Sequence, residues 1–161
     1  MRHVWEQIEW ECISLSDAWD TFMERAQSSP KLGDLSVRDL CCLAQAPWLP
    51  VGIYVFSNDD TVLYTGKTHG RSFHERMLSH LDHRDPISGS PHLAQLAQSI
   101  LKKGDASSAC DSVQQILDMK MTWLPILRQE MSHSQHKHLI ALIERRLLWN
   151  QSLDPLYNSP R

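Results

Sequence analysis

Apolar residues follow two different rhythms along this chain, and the change comes at Pro50. Before it the spacing is helical. Trp19, Phe22, Met23 and Ala26 fall on one face behind Ser16, which reads as the N-cap, and Ser28-Ser29-Pro30 ends the helix. A second helix is expected from Asp34 to about Gln45, with Leu35, Leu40 and Leu43 turned inward. Residues 8–14 fit a short strand or a helical turn equally well. Pro47 and Pro50 then punctuate the chain.

After Pro50 the pattern becomes that of a hairpin. Val51 to Phe56 is β-branched and aromatic, Asn58-Asp59-Asp60 is a turn signal, and Val62-Leu63-Tyr64 reads as the returning strand. A loop follows from Gly66 to Gly70. Ser72-Phe73-His74-Glu75 has the form of a capping box, so a helix is expected from Ser72 to about His83. Asp85 to Pro91 is a loop. Residues 92–103 repeat Leu93, Leu96 and Ile100 at helical spacing, 104–109 read as loop and 111–118 as a further helical piece. Lys120 to Ile126 fits a third strand, with Pro125 confining its far end to an edge or bulge. The last helix spans about Ser134 to Trp149, and the tail from Asp154 has no period. The sum is an α+β fold. A small three-stranded, mainly antiparallel sheet flanked by helices occupies 50–161, with an insertion around 85–119, behind a helical extension at 1–49.

Length and composition narrow the class. The 161 residues suit one compact domain, and 42% hydrophobic residues suffice for a core. No stretch approaches the roughly 20 apolar residues of a membrane span, and Met1 to Glu6 has no signal-peptide run, so a cytoplasmic location is expected. The four cysteines include no CxxC pair and read as buried free thiols rather than a zinc knuckle or disulfide framework. The net charge of −3 is unevenly spread. Residues 1–66 hold 4 Lys/Arg against 10 Asp/Glu, whereas 67–161 hold 12 against 9 and eight of the nine histidines. A phosphate-binding surface needs only local positive potential.

Chemistry enters with the hairpin. Gly52-Ile53-Tyr54 is followed, nine residues on, by Tyr64-Thr65-Gly66. Arg76 and His80 then share one face of a helix, four residues apart. Glu144 stands on the last helix at the edge of the apolar stripe Ile140, Ile143 and Leu147, and Asn158 follows in the Pro-containing tail. In type and order these residues resemble the GIY-YIG nucleases, and the resemblance covers roughly residues 50–160. Thr65 departs from the Ile common in the second tripeptide, the segment from Asp85 to Met119 is long for a minimal domain, and after the short tail no separate DNA-binding domain is expected.

The resemblance implies a divalent-metal-dependent DNA endonuclease with Tyr54, Tyr64, Arg76, His80, Glu144 and Asn158 at its catalytic site. It implies a single Mg²⁺ or Mn²⁺ held by Glu144, with substrate phosphate and waters completing the shell. Tyr54 or Tyr64 would serve as the base, Arg76 would stabilise charge on phosphoryl oxygens, and His80 would orient a tyrosine or shuttle a proton. A phenol near pKa ~10 is a poor base at neutral pH, so Arg76, Lys67 or the metal would have to favour its ionised form. Lys67, Arg71 and Arg84 are candidates for DNA phosphate. Cleavage of both strands would call for two sites and hence a homodimer. The main alternative is a catalytically inactive DNA-binding or regulatory module on the same fold. A second is an unrelated α+β interaction protein. Gly66-Lys67-Thr68 is not the end of a P-loop, because the required glycine is Thr61. His133, His136 and His138 read as solvated residues at a helix entry, not a zinc site.

Overall fold

The computed structural model describes residues 15–42, 51–58, 61–68, 73–84 and 92–126, and residues 132, 134, 135, 137, 138, 140, 141, 144 and 157. Among the described residues eleven continuous elements follow one another. They are α1 (Leu15–Ser28), a 3₁₀ turn (Leu32–Asp34), α2 (Val37–Cys42), β1 (Val51–Asn58), β2 (Thr61–Thr68), α3 (Phe73–His80), β3 (His83–Arg84), β4 (His92–Leu93), α4 (Gln95–Lys103), α5 (Ala109–Asp118) and β5 (Lys120–Ile126). Residues 134, 135, 137, 138, 140, 141 and 144 are helical as well, on the expected C-terminal helix.

The expected α+β architecture is present. Three antiparallel strands form one sheet in the order β2-β1-β5, flanked by helices. Tyr54 faces Gly66 on one side and Trp123 on the other, while Phe56 faces Tyr64 and Met121. Cross-strand partners share a face, so these side chains line one surface. Phe73 and Met77 of α3, Leu96, Ala97 and Ile100 of α4, and Ile116 of α5 close over that surface as the main core. The segment expected as an insertion supplies some of these core side chains. The other face buries Ile53, Val55, Thr65 and Thr122. Pro125 sits on β5, an edge strand, as its missing N–H requires.

Several boundaries differ from those expected. Helix α1 begins at Leu15, so Ser16 lies inside it and the cap position falls on residue 14, outside the described residues. The second helix starts later, at Val37, and its expected end near Gln45 lies outside the described residues. Ser36 caps it, accepting from Asp39 N at 3.1 Å, while Asp39 Oδ2 accepts in return from Ser36 N at 2.9 Å. This is a capping box with Asp in the Glu position. The charged side chain three residues on, rather than apolar spacing, sets that start. Helix α3 ends at His80 rather than His83, because His83 and Arg84 pair with Leu93 and His92 as a small antiparallel ladder. Leu93 therefore belongs to a strand, and α4 begins at Gln95. Gly104, at φ 79°, ends α4 in the left-handed conformation that glycine adopts without steric cost.

Both outer edges of the sheet receive hydrogen bonds from other segments. On β5, Lys31 forms an isolated bridge with Lys120, and Met121 N donates to Pro30 O at 2.9 Å. Next to it, Leu32 N donates to Met119 O at 2.9 Å. On β2 the register slips by one residue opposite Phe56 and Ser57, and Leu63 O accepts from Tyr157 N at 2.8 Å. The N-terminal helical region is tied to the sheet by side chains too. Buried Ser29 Oγ lies 2.9 Å from Thr122 Oγ1 and donates to Arg25 O at 2.8 Å. Ser29→Ala strands the Thr122 hydroxyl in the interior, and a loss of about 1–2 kcal/mol is expected in urea unfolding. An unchanged midpoint would show that this junction contributes nothing to the fold.

Candidate active site

Four of the expected site residues meet at one place. Tyr54 is carried by the central strand, Tyr64 by β2, and Arg76 and His80 by successive turns of α3. The Tyr54 hydroxyl is the hub. Arg76 Nε donates to it at 3.0 Å, and His80 Nε2 lies 2.7 Å from it. The Tyr54 and Tyr64 ring centres are 6.3 Å apart, and His80 stands edge-on to both, 5.4 Å from Tyr54 and 5.3 Å from Tyr64. Phe56 packs edge-on against His80 at 5.4 Å from the other side. The i, i+4 spacing of Arg76 and His80 thus delivers two nitrogens to one phenol oxygen.

Gly66 makes this placement possible. It faces Tyr54 across the strands, and a Cβ at residue 66 would overlap Cζ and Oη of the Tyr54 ring. The ring lies over the space that a side chain would fill. The glycine that reads as a motif letter is thus a packing requirement of the tyrosine opposite.

Burial sets the electrostatics. Tyr54 is 0% exposed and His80 3%. Desolvation, and then the neighbouring Tyr64, drive the Tyr54 hydroxyl far above its ordinary value despite the opposing pull of Arg76. Desolvation and then Arg76 push His80 from 6.5 down to about 3. Burial also works against the Arg76 charge, but the two tyrosines outweigh it and hold the guanidinium above its usual value. At neutral pH the cluster is therefore a phenol, a neutral imidazole and a cation. His80 carries a stability consequence with a definite sign. Unfolded, it takes a proton near 6.5; folded, it resists down to about 3. Its contribution is full above pH 6.5 and drains away as the pH falls towards 3. Urea midpoints should fall between pH 7.5 and 5 in the wild type and fall less in His80→Gln. Parallel slopes in the two proteins would contradict the assignment.

The remaining expected residues divide. Glu144, on the C-terminal helix, is only 4% exposed, and its Oε2 holds Lys67 Nζ at 2.6 Å. Lys67 follows Gly66 on β2 and faces Ile53, so strand parity starts it on the sheet face opposite to Tyr54. Glu144 is thus brought to the strand that carries Tyr64 and Gly66, through Lys67. Arg84 is on β3, with its side chain outside the described residues, as are Arg71 and Asn158 altogether. The described residues contain no group of three or more His, Cys, Asp or Glu that could hold a metal.

Two residues not anticipated as part of the site support it. Trp123, the other cross-strand neighbour of Tyr54, is buried, its Nε1 has no hydrogen-bond partner among the described residues, and its ring stacks on Phe73 at 4.3 Å. Tyr157, one residue before Asn158, is anchored by its backbone to Leu63 and by its hydroxyl, which donates to Asp105 Oδ2 at 3.0 Å. Burial and then Asp105 push that hydroxyl up to about 12. Its position beside the tail asparagine was the one available signal in the sequence. Trp123 gave none beyond its apolarity. No family model, curated protein or solved structure matches this chain.

Proposed function

We propose that this chain is a divalent-metal-dependent DNA endonuclease of the GIY-YIG type. The observation that carries the reading is the buried Tyr54 hydroxyl held at once by Arg76 and His80. Ordinary core tyrosines need one hydrogen-bond partner. This one has a cation and a neutral base within hydrogen-bond distance. Its ring also belongs to the main hydrophobic core, so the site is held by rigid packing, as a reacting group requires.

The residues have separate roles. Tyr54 is a neutral phenol at rest, so it relays rather than stores charge. His80, with its ring proton on Nδ1, accepts the Tyr54 proton at Nε2 as Tyr54 takes one in exchange, either from the attacking water or from Tyr64 when that hydroxyl takes the water's proton and hands on its own. Arg76 is half-buried and places its guanidinium beside both tyrosines, where it stabilises a developing phenolate and the phosphoryl oxygens.

The chain's own residues bear on the metal. Glu144 is a buried carboxylate that already seats a positive charge, the Lys67 ammonium at 2.6 Å. Such a seat fits a single Mg²⁺ or Mn²⁺ that keeps most of its waters. When bound, the ion supplies charge neutralisation at the phosphate and fixes one oxygen. Lys67 is within one residue of the site glycine and suits the DNA phosphate.

The burial of Glu144 also favours a second reading, a DNA-binding module without activity, in which the Lys67–Glu144 pair is purely structural. Supercoiled plasmid with Mg²⁺ separates the two. Nicked product that disappears in EDTA is expected. Absence of cleavage on plasmid, single strands, RNA and branched DNA, with Mn²⁺ as well, would favour the inactive module. Linear product would indicate paired sites and a dimer.

A further inference from the structure

We propose that Lys67 is a placeholder cation, occupying the metal seat on Glu144 until a divalent ion displaces it. The inference rests on the reading of Glu144 as the cation ligand, and it assigns Lys67 a function before DNA arrives. The geometry is that of an ammonium standing where a metal would stand. Nζ lies 2.6 Å from Oε2, on a carboxylate that is 4% exposed. A carboxylate so buried is costly without a positive partner. The pair keeps Glu144 charged and aimed in the absence of metal. Lys67 is itself 25% exposed on a flexible four-carbon stem. Its ammonium can swing into water once a metal takes over the carboxylate, whereas Glu144 cannot. The exchange is one cation for another, with no bond broken and Lys67 protonated throughout. The released ammonium is then available as a phosphate contact. Metal affinity in the free protein is held low by this competition and rises once DNA phosphate offers Lys67 another anion.

Two measurements test this on the intact chain. The first reads free Mn²⁺ by its paramagnetic resonance signal during titration, without DNA. Lys67→Met and Lys67→Gln should bind Mn²⁺ about tenfold or more tightly than wild type. Glu144→Gln should lose binding, and Lys67→Arg, which keeps the charge, should stay near wild type. The second needs no variant. Lys67 acetylation by acetic anhydride, followed by mass spectrometry, should be slow in metal-free protein and accelerate when Mg²⁺ is added, relative to exposed Lys102. Unchanged Mn²⁺ affinity in both neutral variants, or unchanged Lys67 labelling with Mg²⁺, overturns the placeholder. If Glu144→Gln still loses Mn²⁺ binding and plasmid cleavage, the nuclease reading survives that result. If wild-type cleavage persists in EDTA and Glu144→Gln binds Mn²⁺ like wild type, the metal assignment falls and takes the placeholder with it.

Discussion

Replacing Glu144 by alanine is expected to abolish nicking of supercoiled plasmid, with a loss of about 10³-fold or more. The substitution removes the one carboxylate that the proposed site offers to a metal. It also leaves Lys67 without its anion. That second effect is mild, because Lys67 is partly exposed and its ammonium can rehydrate. The variant should therefore remain folded at 25 °C, with a wild-type far-UV circular dichroism spectrum. Glu144→Gln, which keeps the shape and removes the charge, should be as inactive as alanine. Retained cleavage in both folded variants would remove Glu144 from the chemistry and with it the metal assignment.

The second large effect is structural. Gly66→Ala places a methyl group inside the ring of Tyr54. Flexible side chains can yield to such an intrusion, but this ring is fully buried and pinned by Arg76 and His80. The strand or the ring must shift, and both bonds to the hydroxyl go with it. We expect a loss of about 3 kcal/mol in urea unfolding and near-complete loss of cleavage. A double-mutant cycle identifies the cause. Tyr54→Leu lacks the three atoms that collide, so Gly66→Ala made in that background should cost far less than in the wild type. Equal costs in the two backgrounds would mean that residue 66 matters for its backbone freedom and not for the ring.

What the chain disclosed in advance has a physical pattern. The hairpin, the third strand and the face shared by Arg76 and His80 are set by local periodicity, and they stand as expected. So does the α+β architecture they build. The ends of elements were less legible. Short polar bonds set them, as between Ser36 and Asp39, or tertiary pairing does, as between His83 and Leu93. Spacing carries neither. Pairing between distant residues was hidden altogether. Lys67 and Glu144 are 77 residues apart, and nothing in either neighbourhood marks the other. The role of Gly66 was visible only as a letter in a motif, because its reason lies on another strand. Tyr54 and Tyr64 put their rings in the core, and the Tyr54 hydroxyl enters the polar cluster with Arg76 and His80. The positions of Arg71 and Asn158 lie outside the described residues.

The hydrogen bonds from residues 30–32 and from Tyr157 to the sheet margins bear on how copies of this protein could meet. A bare sheet margin is a template for strand addition, whether by a second copy, a peptide or a growing fibril. Here the backbone groups of Met121 and Leu63 that would recruit an incoming strand are already engaged within the chain. At these positions a second copy could not extend the sheet without displacing those bonds. The bond to Leu63 blunts strand addition at that position of β2, five of whose eight residues in a row are buried. Trimming the tail before Tyr157 would uncover Leu63 and turn a closed margin into an adhesive one.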